Sequence, residues 1–170
     1  MGKKVEVLAN VVIIIVALLV GVALIKQRLL TDPMGKDNRA LIKEVSAGSN
    51  ISIPGMDWEK NGKTLLLAIA QGCHYCSESA PFYQRLARET ADGKAKLIAV
   101  LPTPDGEGRK YLKELGVNIS EVKQVSLDSI GVTGTPTLIL VNEAGVVTKT
   151  WVGQLQPDGE AEVLSQLQSQ

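Results

Sequence analysis

The sequence predicts an α/β fold, a central mixed β-sheet flanked by helices, preceded by one N-terminal transmembrane helix. Three observations carry this expectation. Continuous apolar runs at 64–70, 96–101 and 137–141 read as strands buried on both faces. The elements follow the order strand, helix, strand, helix, hairpin, helix, and a β-α-β unit followed by β-β-α makes a mixed sheet covered on both faces. Ahead of them runs the apolar segment VEVLANVVIIIVALLVGVALI, from Val5 to Ile25.

That run of 21 residues would span roughly 31 Å as a helix, about the thickness of a bilayer's hydrocarbon core. Glu6 and Asn10 are its strongly polar members, and both lie near its start, within reach of the interface. Its apolar character goes all round the helix, unlike that of an amphipathic surface helix. A cleaved signal peptide is the competing reading, with Gly21-Val22-Ala23 as the cleavage site. Leu24 and Ile25 weigh against it, because they continue the apolar run where a polar region should intervene. Residues 1–30 are therefore expected to form a single-pass anchor with its helix at about 5–25, residues 31–50 a linker and residues 51–170 the folded domain. Two lysines precede the run, whereas Lys26, Arg28, Lys36, Arg39 and Lys43 follow it. A positive-inside count would hold the domain in the cytoplasm. A translocated domain behind a short N-terminal stub is also a common arrangement. The expectation is an extracytoplasmic, periplasmic domain, with the orientation left open by these charges.

Along the remainder, Asp32-Pro33 ends the first helix, and Arg39–Ala47 has room for one or two helical turns. Asn61-Gly62 turns the chain into the strand Thr64–Ala70, and Gln71-Gly72 ends it. A helix is expected from about Cys73 to Thr90, with Phe82/Leu86 and Tyr83/Ala87 on its buried stripe. Lys96–Leu101 is the next strand and 102–108 a loop. Arg109–Leu115 reads as a helix capped by Gly116. Val122–Leu127 reads as a short strand. Thr137–Val141 and Val146–Val152 form a hairpin turned at Glu143-Ala144-Gly145. A last helix starts near Pro157, with Ala161, Leu164 and Leu167 on its buried side. Trp58 and Trp151 read as packing residues.

Lys+Arg and Asp+Glu both number 18 in the 170 residues, with no run of like charge, so nucleic acid has no electrostatic footprint here. The two cysteines are three residues apart. Two neighbours cannot staple a framework of loops, and one C-x-x-C with the one histidine supplies too few ligands for a structural zinc.

Gly72-Cys73-His74-Tyr75-Cys76 stands where a buried strand ends and a helix begins. Thiol–disulfide exchange needs a thiolate. A helix N-terminus favours one, through unpaired N–H groups and the positive end of the dipole. The two-residue spacer sets the second sulfur one turn on. Cys73 is thus expected to attack and Cys76 to resolve the mixed disulfide. His74 and Tyr75 lie between them, and a protonated His74 would favour a Cys73 thiolate. Gly134-Thr135-Pro136-Thr137 precedes the TLILV strand. A proline entering a central strand has no N–H for the ladder; beside the C-x-x-C, a cis Thr135–Pro136 bond is the expected reason for it.

QGCHYC with Pro81, and IGVTGTPTLILVNEAGVV, resemble the thioredoxin superfamily, and more closely its membrane-anchored TlpA/ResA-like disulfide reductases, over roughly Ser52–Gln168. The resemblance implies a thioredoxin-like fold and a thiol–disulfide oxidoreductase. Cys73 would be its exposed nucleophile and Cys76 its buried resolving thiol. Thr135 and Pro136 would lie against the motif and pair with the substrate backbone, and Pro81 would kink the helix. The implied partners are a protein thiol or disulfide as substrate and a redox partner, such as a membrane thiol–disulfide transporter. No cofactor or metal is implied. Four features depart from the family pattern. Gln71 and Gly72 stand where a tryptophan is usual, Leu67 replaces the buried acid, and Ser79 stands at the helix glutamate with Glu78 beside it. Asp128–Thr133 also leaves little room for the short helix usual before the proline. Glu78 or water is then left to serve Cys76 with protons. Two rivals share parts of this pattern. A thiol peroxidase would need an arginine near Cys73 that the neighbouring sequence does not supply. A copper metallochaperone would need a histidine away from the motif.

Overall fold

The middle of the sheet is built from residues that are apolar at almost every position. In the computed structural model, which describes residues 45–169, β1 (Thr64–Ala68), β2 (Lys96–Leu101) and β4 (Thr137–Val141) are buried along their length apart from Lys96. β3 (Glu121–Gln124) and β5 (Val147–Val152) form the edges, in the order β3-β2-β1-β4-β5. β1 and β3 run parallel to β2, and β4 runs antiparallel to β1 and β5. The sheet is mixed, as the element order predicts. The anchor and most of the linker lie outside the described residues, among which no helix is long and apolar enough to cross a membrane.

Strand parity divides the core in two. Leu65, Leu67, Ala99, Leu101, Leu138 and Leu140 face three helices. These are α3 (Ala80–Glu89) through Phe82, Tyr83 and Leu86, α4 (Asp105–Glu114) through Tyr111 and Leu112, and α5 (Pro157–Gln168) through Val163, Leu164 and Leu167. The other parity, Leu66, Ala68, Ile98, Val100, Ile139 and Val141, is closed mainly by irregular chain. Val45, Ile51 and Ile53 cover it, with a 3₁₀ turn at Leu127–Ile130 and the short α1 (Trp58–Asn61) beside them. Each fully buried Leu or Ile contributes about 1.5–3 kcal/mol, so both layers are needed. The packed chain starts ahead of residue 51: Val45 is buried, and its N–H donates to the Gly131 carbonyl at 2.9 Å.

Several elements differ from their sequence expectation, each for a local reason. The helix expected over 73–90 is two helices, α2 (His74–Glu78) and α3, with Ser79 ending one and starting the other. Pro81 explains the break, since it has no N–H for the Ser77 carbonyl and its ring crowds that turn. α4 begins at Asp105, not Arg109. Its first turn holds Gly106 and Gly108, which read as loop. A Cβ on Gly108 would sit 3.1 Å from Val122 and 3.3 Å from Leu101, so glycine lets the helix approach the sheet. The far end closes as expected: the Gly116 and Val117 N–H groups donate to Lys113 and Leu112 carbonyls, with Gly116 at φ 67°. The 3₁₀ turn at Leu127–Ile130 supplies the short helical element that the sequence left little room for. On α5, Ala161 is exposed and Val163 takes its place in the core.

The β4–β5 turn is pinned from outside. Asn142 Oδ1 accepts from the Ala144 and Val146 N–H groups, and Gly145 sits at φ 74° under the Trp58 ring. A Cβ there would meet Trp58 Cδ1 at 2.8 Å. Gly145→Ala is therefore expected to destabilise the fold by about 1–3 kcal/mol, from the left-handed backbone and the clash together. Urea unfolding would show it as a lower midpoint at unchanged slope; an unchanged midpoint would mean that Trp58 moves aside freely.

Candidate active site

β1 delivers the chain to the site. Past Ala68, Gly72 at φ 75° makes the turn, with the Cys73 N–H donating to the Ala70 carbonyl at 3.3 Å. Only glycine takes that backbone without strain. Cys73 is then the N-cap of α2, in extended conformation, and its Sγ accepts from the Cys76 N–H at 3.2 Å. The pair forms a disulfide with Cα atoms 5.2 Å apart. Cys73 is partly exposed, whereas Cys76 is completely buried among the core residues of the helical layer.

The β1–β4 register explains what lies opposite. Ala68 pairs with Thr137, so the residues just before β4 reach the end of β1 where the disulfide stands. The Thr135 carbonyl oxygen is 3.4 Å from Cys73 Sγ. In the disulfide that sulfur carries no proton, so this is a close contact; in the reduced protein the thiol could donate to the same oxygen. The Thr135–Pro136 peptide bond is cis. Pro136 is buried, and its carbonyl accepts from the Gly153 N–H at 2.7 Å. Thr137 Oγ1 donates to the Gly134 carbonyl at 2.8 Å, holding the loop from its other side.

The structure therefore brings Cys73, Cys76, Thr135 and Pro136 together. His74, Tyr75 and Glu78 lie on the outward face of α2. His74 Nε2 is 3.1 Å from Glu78 Oε1, with both side chains exposed. Glu78 is engaged there, away from the buried sulfur. Tyr75 stands 56 % exposed with its ring 5.5 Å from that of His74. Val152, at the end of β5 and paired with Thr137, is the other large hydrophobic residue exposed among those described. Its place beside Pro136 was not anticipated; the sign available was its outward parity on β5, opposite in phase to the buried Trp151. No group of three His, Cys, Asp or Glu side chains that could hold a metal ion occurs among the described residues.

Behind the disulfide lies a second feature that sequence reasoning passed over. Ser79, Tyr83 and Tyr111 are buried, and their hydroxyls have no hydrogen-bond partner among the described residues. Burial pushes the Tyr83 phenol well above the ordinary tyrosine value. The nearby Ser79 hydroxyl works against this shift without reaching hydrogen-bond geometry, and Tyr111 adds to it.

Comparison with known proteins agrees with this geometry. The Redoxin family matches residues 56–167. No curated protein matches the sequence. Among solved structures, a thiol-disulfide isomerase from Corynebacterium glutamicum is similar with a TM-score of 0.55 at 16% identity, over 78% of this chain and 99% of its own. A thiol:disulfide interchange protein from Bacteroides sp. is similar with a TM-score of 0.54 at 18% identity, over 75% and 92%. StoA from Bacillus subtilis has a TM-score of 0.52 at 20% identity, over 74% and 96%. At such identities the likeness establishes the thioredoxin-like fold. Because the family match covers most of the chain and contains both cysteines, this protein belongs to the Redoxin family and is a thiol–disulfide oxidoreductase built on Cys73 and Cys76.

Proposed function

We propose that the protein is a membrane-tethered disulfide reductase for protein substrates outside the cytoplasm, with Cys73 as the attacking thiol and Cys76 as the resolving one. The observation that carries the roles is the asymmetry of the pair: Cys73 is partly exposed at the start of α2 against the Thr135 carbonyl, and Cys76 is fully buried. A substrate sulfur can approach the first and not the second. In the reductive direction the reduced Cys73 thiolate attacks a substrate disulfide, and one substrate sulfur leaves as a thiolate. Cys76 then attacks Cys73, releasing the second substrate thiolate and closing the Cys73–Cys76 disulfide. Thr135 and Pro136 offer the substrate backbone a rim beside Cys73. His74, Tyr75 and Glu78 tune the exposed side of the site, the histidine by placing charge next to Cys73 when protonated.

The tether rests on the apolar run Val5–Ile25, and the reductive direction on the TlpA/ResA-like motifs. Structural relatives described as thiol:disulfide interchange proteins are in keeping with a protein substrate. The return of electrons requires a dithiol donor, for which a membrane thiol–disulfide transporter is the fitting class. The reduction potential of the full-length protein in detergent tests the direction. A value near −270 mV is expected, as for thioredoxin; one near −120 mV would make the protein an oxidase.

A further inference from the structure

The reaction leaves a negative charge on a buried sulfur. Whenever the disulfide is opened by a donor thiolate, a new S–S bond forms to Cys73. The Cys73–Cys76 bond breaks, and Cys76 leaves with the electron pair as a thiolate. Resolution is the reverse: Cys76 must first lose its proton and then attack. Both steps pass through a thiolate at a completely buried position, where burial disfavours charge. No Asp, Glu, Lys, Arg or His is buried among the described residues, and the nearest carboxylate in sequence, Glu78, faces His74 on the outside.

Hydroxyls are there instead. Ser79 follows Cys76 by three positions and Tyr83 follows Ser79 by four, so Cys76, Ser79 and Tyr83 share one inward face across the α2–α3 junction. The Tyr83 N–H donates to the Ser79 carbonyl at 3.2 Å, which keeps the face continuous through the break. The Tyr83 phenol has Ser79 and Tyr111 as its polar neighbours, and Tyr83 shares the buried helical layer with Cys76. Tyr111 of α4 brings a third hydroxyl into the same layer. All three residues are more than nine-tenths buried and have no hydrogen-bond partner among the described residues. The buried hydroxyls of Thr64 and Thr137 are spoken for by backbone carbonyls, and the other unpartnered ones, of Thr103 and Thr150, belong to residues that are only partly buried. Unpartnered buried hydroxyls are costly, and several in one place call for a reason.

We infer that Ser79 and Tyr83, backed by Tyr111, are positioning residues for Cys76: their hydroxyls turn to donate hydrogen bonds to its thiolate when the disulfide opens. The inference rests on the assignment of Cys76 as the resolving thiol. Burial holds the Tyr83 phenol in its protonated form at working pH, which suits a donor and not a base. The hydroxyls gain or lose no electrons and keep their own protons, sharing them with the thiolate as hydrogen bonds.

Ellman's reagent, a chromogenic aromatic disulfide, reads the two thiols separately in the reduced full-length protein. Cys73 attacks and releases one aromatic thiolate; Cys76 then resolves the mixed disulfide and releases the second. Cys76→Ser shows the first release alone if the assignment holds, and loss of that first release would refute the assignment itself. On the parent background, Tyr83→Phe and Ser79→Ala should each leave the first phase unchanged. Each should slow the second about tenfold at pH 7, since a hydrogen bond to a charged group carries about that factor. The deficit should vanish at high pH, where Cys76 ionises unaided. Tyr83→Phe keeps the ring and its packing, so the fold is preserved. A second phase within twofold of the parent in the Ser79→Ala/Tyr83→Phe double variant would overturn the inference, as would a slowing of both phases that is independent of pH.

Discussion

Cys73→Ser is expected to lose all thiol–disulfide exchange, whereas Cys76→Ser keeps the first attack and accumulates a mixed disulfide with its natural partner. The argument follows from the two environments. Cys73 Sγ accepts the Cys76 N–H at the start of α2 and is partly open to solvent. A thiolate there gains the donors of the first turn and can be reached by another protein. A serine hydroxyl in its place is no nucleophile for a disulfide at neutral pH. Cys76 is enclosed by the helical layer and bonded there to the sulfur of Cys73. Removing it leaves the attack intact and takes away the group that would expel the substrate, so the covalent complex persists until an external thiol arrives. In the reduced wild-type protein, the same asymmetry makes Cys73 alkylate first. Non-reducing gels of Cys76→Ser, with mass spectrometry of the adduct, would show the trapped complex and identify the substrate. Equal alkylation of both thiols, or turnover in Cys73→Ser, would reverse the roles or remove the pair from the chemistry.

How far such roles can be read without coordinates depends on whether the determinants are local. β2 and β4 lie where their apolar runs end, because Lys96 and Pro136 mark one side and Pro102 and Asn142 the other. The disulfide and its place at a helix start were equally legible, since strand, glycine turn and C-x-x-C are contiguous. Thr135 beside Cys73 needed one long-range inference, and the β1–β4 register supplies its physical basis. What stayed hidden depended on distant packing. Gly106 and Gly108 read as loop until Val122 and Leu101 show why a helix must come so close. Ile51 and Ile53 alternate with polar residues, but nothing in the sequence shows that they close the second face of the sheet. The Ser79–Tyr83–Tyr111 group was missed for a different reason. A tyrosine on an apolar stripe satisfies the packing pattern whether or not its hydroxyl has a partner, and a small polar residue such as Ser79 at a helix junction reads equally as a cap.

The other large effect concerns the segment ahead of the described residues. Full-length protein is expected to stay with membranes through washes in high salt and alkali, and a chain starting near Asp37 to be recovered soluble, folded and redox-active. Leu, Ile and Val each favour the bilayer centre by about 0.3–0.6 kcal/mol, and Val5–Ile25 is made largely of them. Glu6 and Asn10 oppose insertion only weakly, since they fall near the end of the run. Salt and alkali strip proteins held by surface charge, and a neutral chain with an apolar run of this length has no such dependence. The truncated chain, for its part, keeps every core residue among those described, from Val45 to Leu167. Fractionation followed by intact-mass measurement decides the matter. Recovery of full-length material in the soluble fraction, at a mass reduced by the leader, would mean that Gly21-Val22-Ala23 is cut and that the oxidoreductase is released and not tethered.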